Sequence, residues 1–133
     1  MALSTILIIE DDADIRDSLR EALQSEGFTV HTSTNGAEAL DAIEDGLRPR
    51  LVLLDLLMPV MNGWHFLQAL GQNIPILVLS AYITGAKTMA EAAAIRRPIG
   101  FMRKPINLDQ LLEVVRSQCG DPSASEDAHA RPG

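Results

Sequence analysis

The chain has 133 residues, of which 47% are apolar and 22% charged, and its formal net charge at pH 7 is −7. These proportions are typical of one globular domain with a sizeable core. The negative charge disfavours nucleic acid as a partner, because its phosphates would repel the protein. No apolar run approaches the roughly 20 residues of a membrane-spanning helix, and the N-terminus lacks the basic segment of a secretory signal. The single cysteine, Cys119, excludes an internal disulfide and fits a reducing compartment, which predicts a cytoplasmic location.

A strand, a helix and a second strand are predicted at the start of the chain. Residues 6–9 are an unbroken apolar run, which indicates a buried strand. The helix that follows has apolar residues at spacings of three and four, namely Ile15, Leu19, Ala22 and Leu23. Asp12 or Asp14 can cap its start, and Gly27 can end it. Residues 28–33 alternate weakly and are rich in β-formers, which predicts an edge strand.

The next segment predicts a second helix, a third strand and a third helix. Asn35 and Glu38 have the N-x-x-E spacing of a capping box at a helix start. Leu40 and Ile43 are predicted to face inward, and Gly46 can end that helix. Residues 51–54 are an apolar run that leads into Asp55, which predicts a strand buried on both faces. Asn62, followed by glycine, can cap the third helix, whose apolar residues are Phe66, Leu67 and Leu70.

The last part of the chain adds two strands and two helices. Residues 75–80 predict a fourth buried strand that ends in a hydroxyl. Thr84 starts an alanine-rich helix that extends to about Ile95 and is expected to be the least rigid helix. Residues 99–102 predict a short fifth strand. Asn107 can cap the last helix, whose inward-facing residues are predicted to be Leu108, Leu111, Leu112 and Val115.

Strands that alternate with helices predict a parallel sheet covered on both faces, with right-handed crossovers. The first, third and fourth strands are wholly apolar and should be central, with the second and fifth strands at the edges. Residues 1–119 form the predicted domain, and residues 120–133 a polar tail that is expected to be disordered. The tail is too short for a DNA-binding output domain, so the sequence predicts a stand-alone domain that acts on another protein.

Four of the predicted strands end in groups that carry chemistry. These groups would meet at the carboxyl edge of the sheet, where ligands bind in such folds, and they are Glu10-Asp11, Asp55, Ser80 and Lys104. Carboxylates so close together repel one another unless a cation neutralises them, and oxygen ligands suit Mg²⁺. A carboxylate positioned by a metal can attack a phosphoryl group, while a lysine and a hydroxyl can bind its oxygens. Each residue alone has an ordinary role as a cap or a solvated side chain, but their joint occurrence favours a phosphoryl-transfer site.

The chain resembles the receiver domain of two-component response regulators over about residues 4–118. The matching segments are Ile8-Ile9-Glu10-Asp11-Asp12, Leu53-Leu54-Asp55-Leu56-Leu57-Met58-Pro59-Val60-Met61-Asn62-Gly63, Leu79-Ser80-Ala81 and Lys104-Pro105. The resemblance implies a flavodoxin-like, doubly wound α/β fold with a five-stranded parallel sheet in the order 2-1-3-4-5. It also implies a cis peptide bond between Lys104 and Pro105, which would direct the lysine toward Asp55.

The resemblance further implies a role for each residue at this edge. Asp55 would accept a phosphoryl group from a histidine kinase or a histidine phosphotransfer protein, and Lys104 would pair with that group. Ser80 would be the switch hydroxyl, and Phe101 the aromatic side chain whose rotamer reports the switch. The ligands of Mg²⁺ would be the side chains of Asp11 and Asp55, the backbone carbonyl of Leu57 and, through a water, Glu10. Such a domain is no enzyme beyond its own phosphorylation and slow dephosphorylation.

A few positions set this chain apart within the family pattern. Leu57 and Tyr82 occupy the places that tune hydrolysis, and both are bulky and uncharged, which predicts a slow reaction with water. Glu10 stands where Asp is commoner, and Asn62 where Asp often precedes the glycine. Residues 95–100 replace the usual short Gly-Ala turn, so we expect a changed partner surface around the fourth helix, fifth strand and fifth helix.

Three other classes of protein fit the same pattern less well. A phosphorylation-independent pseudo-receiver scaffold would keep the fold without the chemistry, and it stays open as the alternative although every catalytic position is filled. A flavodoxin-like cofactor binder needs backbone donors after the first strand, where Glu10-Asp11-Asp12 would repel a phosphate. A haloacid-type phosphatase would have a second acid two residues after Asp55, where Leu57 stands instead.

Overall fold

A computed structural model of the protein describes residues 5–55, 74–80 and 100–120. The strands are β1 (Thr5–Ile9), β2 (Thr29–Ser33), β3 (Leu51–Asp55), β4 (Ile76–Ser80) and β5 (Gly100–Arg103). The helices within these ranges are α1 (Ala13–Ser25), α2 (Gly36–Glu44) and α3 (Leu108–Cys119). The helices predicted after Asn62 and over residues 84–95 lie outside the described residues, and so do the 95–99 part of the atypical loop and the tail beyond Gly120.

The five strands form one parallel sheet in the order β2-β1-β3-β4-β5. This order confirms the predicted doubly wound α/β fold. It also confirms that the three wholly apolar strands are central and that β2 and β5 are the edges. Because the two directions of winding diverge between β1 and β3, the carboxyl ends of these strands border the crevice where such folds bind ligands.

The central strands send alternate side chains into two separate apolar cores. The first core lies under α2, and its members include Leu7, Ile9, Ala39, Ile43, Val52, Leu54 and Val78. The second core lies under α1 and α3, and its members include Ile6, Ile8, Leu19, Leu23, Leu53, Leu111 and Val115. Each fully buried Leu or Ile side chain contributes roughly 1.5–3 kcal/mol through removal of its apolar surface from water.

Side-chain caps fix the start of each described helix. The carboxylate of Asp12, rather than that of Asp14, caps α1 by accepting hydrogen bonds from the N–H groups of Asp14 at 2.9 Å and Ile15 at 3.1 Å. The Asn107 side-chain oxygen accepts from the N–H of Gln110 at 3.0 Å, which starts α3 as predicted. The chain leaves α1 and α2 through glycines with positive φ, Gly27 at 99° and Gly46 at 117°.

The capping box of α2 differs in one bond from the predicted pattern. The side-chain oxygen of Asn35 accepts from the N–H of Glu38 at 2.9 Å, as expected. The Glu38 carboxylate accepts from the N–H of Thr34 at 2.8 Å, which is one residue before the cap. The result still satisfies two exposed donors at the helix start.

One sequence expectation about α3 was wrong. Leu108 was expected to face inward but is 38% exposed, because it is the first helical residue and lies beside an open groove rather than over the sheet. Cys119, at the end of the same helix, is buried and extends the apolar face of α3. The fifth strand also runs one residue further than predicted, to Arg103. None of the helices in the described ranges has the length and apolar character needed to cross a membrane.

Candidate functional site

The ends of β1 and β3 bring three acids together. Glu10 follows β1 directly, and its N–H donates to the carbonyl of Ser33 at 3.1 Å, so the sheet pattern continues to this residue. Asp55 is the last residue of β3, and the preceding Leu54 pairs with Ile9 in the register of the two strands. Glu10, Asp11 and Asp55 each offer a carboxylate oxygen within 4.8 Å of the others. The structure thus brings together the acids that the sequence predicted to meet.

The members of this acidic cluster differ in burial. Glu10 is 1% exposed and Asp55 is 5% exposed, whereas Asp11 is exposed. Burial is the largest cause that raises the pKa of Glu10 from 4.5 to about 7, and the charge of Asp55 raises it further while Lys104 opposes the shift. Two buried carboxylates are therefore costly to keep ionised at this edge without a nearby cation.

Lys104 supplies a cation to the cluster. Its ammonium nitrogen lies 2.6 Å from Oε1 of Glu10 and 3.3 Å from Oδ2 of Asp55. The peptide bond between Lys104 and Pro105 is cis, as predicted. Burial opposes the lysine's charge, but the hydrogen bonds and negative charges of Glu10 and Asp55 outweigh it and raise the pKa of Lys104. Lys104 is therefore a cation at neutral pH.

The oxygen atoms of Glu10 are unequally satisfied. Oε2 accepts a hydrogen bond from the N–H of Asp12 at 3.2 Å. Oε1 is buried and, among the described residues, has no well-aligned hydrogen-bond donor although the Lys104 ammonium is close to it. A buried, incompletely satisfied oxygen beside two further carboxylates is a donor set that fits a hard divalent cation such as Mg²⁺.

Arg16 is a residue of the site that the sequence pattern did not single out. It lies in the first turns of α1, and its Nη1 donates to the backbone carbonyls of Glu10 at 3.1 Å and Asp11 at 3.5 Å. These bonds tie the acidic turn after β1 to the helix that follows it. A backbone-directed arginine has no motif of its own, so only the folded structure could identify it.

The other predicted site residues are Ser80, Phe101, Leu57 and Tyr82. Ser80 is the last residue of β4 and pairs with Arg103 in the sheet register, so it lies at the same edge as Asp55. Phe101 is half-buried in β5 and packs against the core under α2. Leu57 and Tyr82 lie outside the described residues.

Beside the cluster, a groove of about 330 Å³ is lined by Ile15, Leu19, Lys104, Pro105, Ile106 and Leu108, among others.

Comparison with known proteins identifies the family of this chain. A family model described as the response regulator receiver domain matches residues 6–116. The chain belongs to the response regulator receiver domain family. Receiver domains are signalling modules of two-component systems rather than classical enzymes, and phosphorylation and Mg²⁺ binding at acidic residues are general features of the family. The cluster of Glu10, Asp11 and Asp55 is the acidic group that this receiver domain presents.

Individual relatives agree with this family. The response regulator MprA of Mycobacterium sp. (strain KMS) is 36% identical over 115 residues, which cover 84% of this chain and 49% of MprA. The receiver domain thus spans about half the length of that relative. A 14.6 kDa protein of Leptolyngbya boryana is 33% identical over 125 residues, covering 90% of this chain and 92% of the relative. The chemotaxis protein CheY4 of Vibrio cholerae has the same fold with a TM-score of 0.80 and 30% identity, covering 88% of this chain and 99% of CheY4.

Proposed function

We propose that Asp55 accepts a phosphoryl group from a histidine kinase or a histidine phosphotransfer protein in a Mg²⁺-dependent reaction, and that the modified domain switches a protein-interaction surface. The observation that carries the proposal is the pairing of buried Asp55 with the Lys104 ammonium at 3.3 Å, beside two further carboxylates at the carboxyl edge of the sheet. A nucleophile, a cation for phosphoryl oxygens and a metal-binding acid set are the groups that phosphoryl transfer requires.

The transfer forms one bond and breaks one bond. A carboxylate oxygen of Asp55 forms the new P–O bond while the P–N bond of the donor phosphohistidine breaks and its electron pair returns to the imidazole nitrogen. Lys104 balances the negative charge of the phosphoryl oxygens. Mg²⁺, when held by Asp11, Asp55, the Leu57 carbonyl and, through water, Glu10, would neutralise the charge that keeps donor and acceptor apart.

The proposed switch joins Ser80 to Phe101. Ser80 ends the strand beside Asp55, so its hydroxyl is the group we expect to bind the new phosphoryl oxygens. Phe101 is only half-buried, and β5 is the next strand beyond Ser80. Movement of Ser80 and the following segment would open space into which Phe101 turns. The surface beside β5 would then differ between the two states.

We also propose that residues 1–119 act as a stand-alone receiver in the cytoplasm, with residues 120–133 as a polar tail outside this domain. Cys119 is the single cysteine of the sequence and is buried, which supports a reducing compartment. The high coverage of the Leptolyngbya protein and of CheY4, 92% and 99%, supports the idea that a receiver of this length can serve as a whole protein. Output would then require contact with a separate target protein.

The proposal is tested by incubating the protein with Mg²⁺ and acetyl phosphate, followed by intact mass measurement. We expect a mass increase of one phosphoryl group in the parent and in Asp41→Asn, which alters an exposed carboxylate in α2. Asp55→Asn should show no increase. An unchanged parent mass, under conditions that label a control receiver, would instead support the phosphorylation-independent scaffold.

A further inference from the structure

We propose that Arg16 is a positioning residue of the phosphoryl-transfer site, which holds the turn after β1 so that the Asp11 carboxylate points toward Asp55 and thereby sets the affinity for Mg²⁺. This inference rests on the proposed function, because the metal serves the transfer to Asp55. It assigns a role to a side chain that binds the backbone of the turn and acts through it on Asp11.

The turn that Arg16 binds carries one acid that packing leaves loosely held. Residues 10–12 form this turn between β1 and α1. Glu10 is 1% exposed, and its N–H donates to the carbonyl of Ser33, whereas Asp11 is exposed. Burial therefore fixes the side chain of Glu10, while the direction of the Asp11 carboxylate depends on the backbone of the turn.

Arg16 binds the two peptide groups that flank the Cα atom of Asp11. Its Nη1 donates to the carbonyl of Glu10 at 3.1 Å and, in a longer bond, to the carbonyl of Asp11 at 3.5 Å. The first carbonyl belongs to the peptide plane before this Cα atom and the second to the plane after it. One guanidinium thus restrains both backbone dihedral angles of Asp11, and with them the direction of its side chain.

The helix α1 gives Arg16 a firm base. The N–H of Arg16 donates to the carbonyl of Asp12 at 2.9 Å, which secures the first turn of the helix. Leu19 and Leu23 of the same helix are 1% and 0% exposed and hold it against the sheet. Because α1 cannot shift without exposing these apolar side chains, the guanidinium is a fixed point for the turn beside it.

The guanidinium also lies near the start of α2. Hydrogen bonds from Thr34 lower the pKa of Glu38, and the charge of Arg16 adds to this shift. Glu38 is exposed, so its charge interaction with Arg16 is weakly stabilising. The bonds to the backbone of the turn are the stronger contacts, and they direct the arginine at carbonyl oxygens rather than at the carboxylates of the site.

This arrangement has a predictable effect on metal binding. A ligand side chain that is ordered in advance loses less conformational entropy when the metal binds. Groups that orient metal ligands typically change metal affinity by 10–100-fold when they are mutated, and Arg16 holds one ligand of the set, so we expect roughly a tenfold effect. An arginine that acted by its charge would have the opposite effect, because a cation near the carboxylates repels Mg²⁺.

The test compares three substitutions in α1 by Mg²⁺ titration, followed through the backbone amide NMR signal of Asp11. Arg16→Met removes the hydrogen-bond donors but keeps an unbranched apolar stem, and it should weaken Mg²⁺ binding about tenfold. Arg16→Lys keeps the charge and can reach one carbonyl, so its loss should be smaller. Arg20→Met, one turn later, removes an arginine that is 39% exposed and paired with Asp17, and it should leave the affinity unchanged.

Two further measurements distinguish a loosened turn from general destabilisation. Without metal, Arg16→Met should speed hydrogen exchange at the amide of Asp12, which donates to Oε2 of Glu10, but not at the buried core amide of Leu53. Labelling by acetyl phosphate should be slow at low Mg²⁺ and recover at saturating Mg²⁺, which a partly unfolded protein would not show. If Arg16→Met does not fold, weaker Mg²⁺ binding in Arg16→Lys is the deciding result.

The outcomes separate this inference from the proposed function. Mg²⁺ binding in the Arg16 variants that equals or exceeds that of the parent overturns it, and so does an equal loss in Arg20→Met. A labelling defect that persists at saturating Mg²⁺ also overturns it. A parent that acetyl phosphate does not label, but whose Mg²⁺ affinity falls in Arg16→Met, would refute the proposed function and support the positioning role.

Discussion

Lys104 and Glu10 form a 2.6 Å ion pair although they follow strands β5 and β1, which are separated in the sheet by β3 and β4. The lysine side chain therefore extends across the carboxyl edge and passes the end of the strand that carries Asp55. A long, unbranched cationic side chain can make this span, whereas a short polar one starting from β5 cannot. The site is thus assembled from both sides of the crevice, and its charge balance depends on the correct pairing of all four strands.

Asp55→Asn is expected to abolish phosphorylation without destabilising the metal-free protein. The change removes one buried carboxylate from a cluster in which burial already disfavours charge, while Lys104 keeps Glu10 as a partner. The midpoint of thermal unfolding without metal should therefore hold or rise relative to the parent. The exposed Asp41→Asn substitution serves as the control, and a clear fall for Asp55→Asn alone would count against this account of the cluster.

Phosphorylation is expected to change amide exchange well beyond the Asp55 turn. A phosphoryl group adds roughly 1.5 to 2 negative charges with strong acceptor oxygens, which should draw Ser80 and Lys104 toward it. We expect altered protection from Ala81 to Thr88, which lies outside the described residues, and in β5 around Phe101. Hydrogen exchange with and without a phosphoryl mimic measures this, with Asp55→Asn as control. Changes confined to the Asp55 turn would mean that no switch is transmitted.

A matched pair of substitutions in α3 tests the burial of its apolar residues. Leu111 is fully buried, whereas Leu108, three residues earlier in the same helix, is 38% exposed. Leu111→Ala should lower the free energy of unfolding by roughly 2–5 kcal/mol, and Leu108→Ala by less than about 1 kcal/mol. Urea denaturation of both variants gives the comparison. Equal losses would show that Leu108 packs into the core after all.

Glu38→Gln should reveal a pH-dependent contribution to the start of α2. Hydrogen bonds from Thr34 lower the pKa of Glu38 below its usual 4.5, so the folded state binds the proton less tightly than the unfolded chain. The charge therefore stabilises the protein above pH 4.5, and this stabilisation is lost as the pH falls through the lower, folded-state pKa. The parent should be slightly more stable than the variant at neutral pH, and the difference should vanish in strong acid.

Urea denaturation at several pH values measures this difference. Glu21→Gln removes an exposed charge elsewhere and should not reproduce the pattern. A difference between parent and Glu38→Gln that persists unchanged below the folded-state pKa would show that the carboxylate charge is not its source.

The periodicity of the sequence was sufficient to predict most of the fold. Residues 6–9 and 51–54 are uninterrupted apolar runs, and such strands can be satisfied only where the sheet is covered on both faces, which places them at its centre. Asn107 and Asn35 were recognisable as caps because capping depends on spacing within a few residues. These features are local, and local patterns are what a sequence displays directly.

Other features depend on distances between elements and could not be read in advance. The closer approach of Lys104 to Glu10 than to Asp55 results from how far one side chain reaches across the sheet edge. The bond from Arg16 to the Glu10 carbonyl joins a side chain to backbone, so residue type gives no signal for it. The exposure of Leu108 follows from where α3 begins relative to the sheet, although its helical spacing matched that of a core residue.

The aspartyl phosphate is expected to hydrolyse slowly. Leu57 and Tyr82, which flank Asp55 and Ser80 in sequence and lie outside the described residues, are bulky and uncharged, so neither can act as a strong general base for water. Introducing Leu57→Asn and Tyr82→Glu together should speed the loss of the phosphoryl group, followed by mass with Mg²⁺ present. Decay of the parent within seconds, or slower decay of the double variant, would contradict the shielding argument.

Alternate side chains of each central strand lie on opposite faces of the sheet, so the protein has two separate apolar layers. Among the described residues, Phe101 packs with the layer under α2, while Met102, its neighbour in β5, packs with the layer under α1 and α3. Sequence changes that loosen or tighten the first layer therefore act directly on the surroundings of the proposed switch residue. Within the part of the chain that the structure describes, changes in the second layer reach it through the strands themselves. Substitutions in the layer under α1 and α3 can thus change the stability of the protein during evolution, while substitutions in the layer under α2 change the sensitivity of the signal.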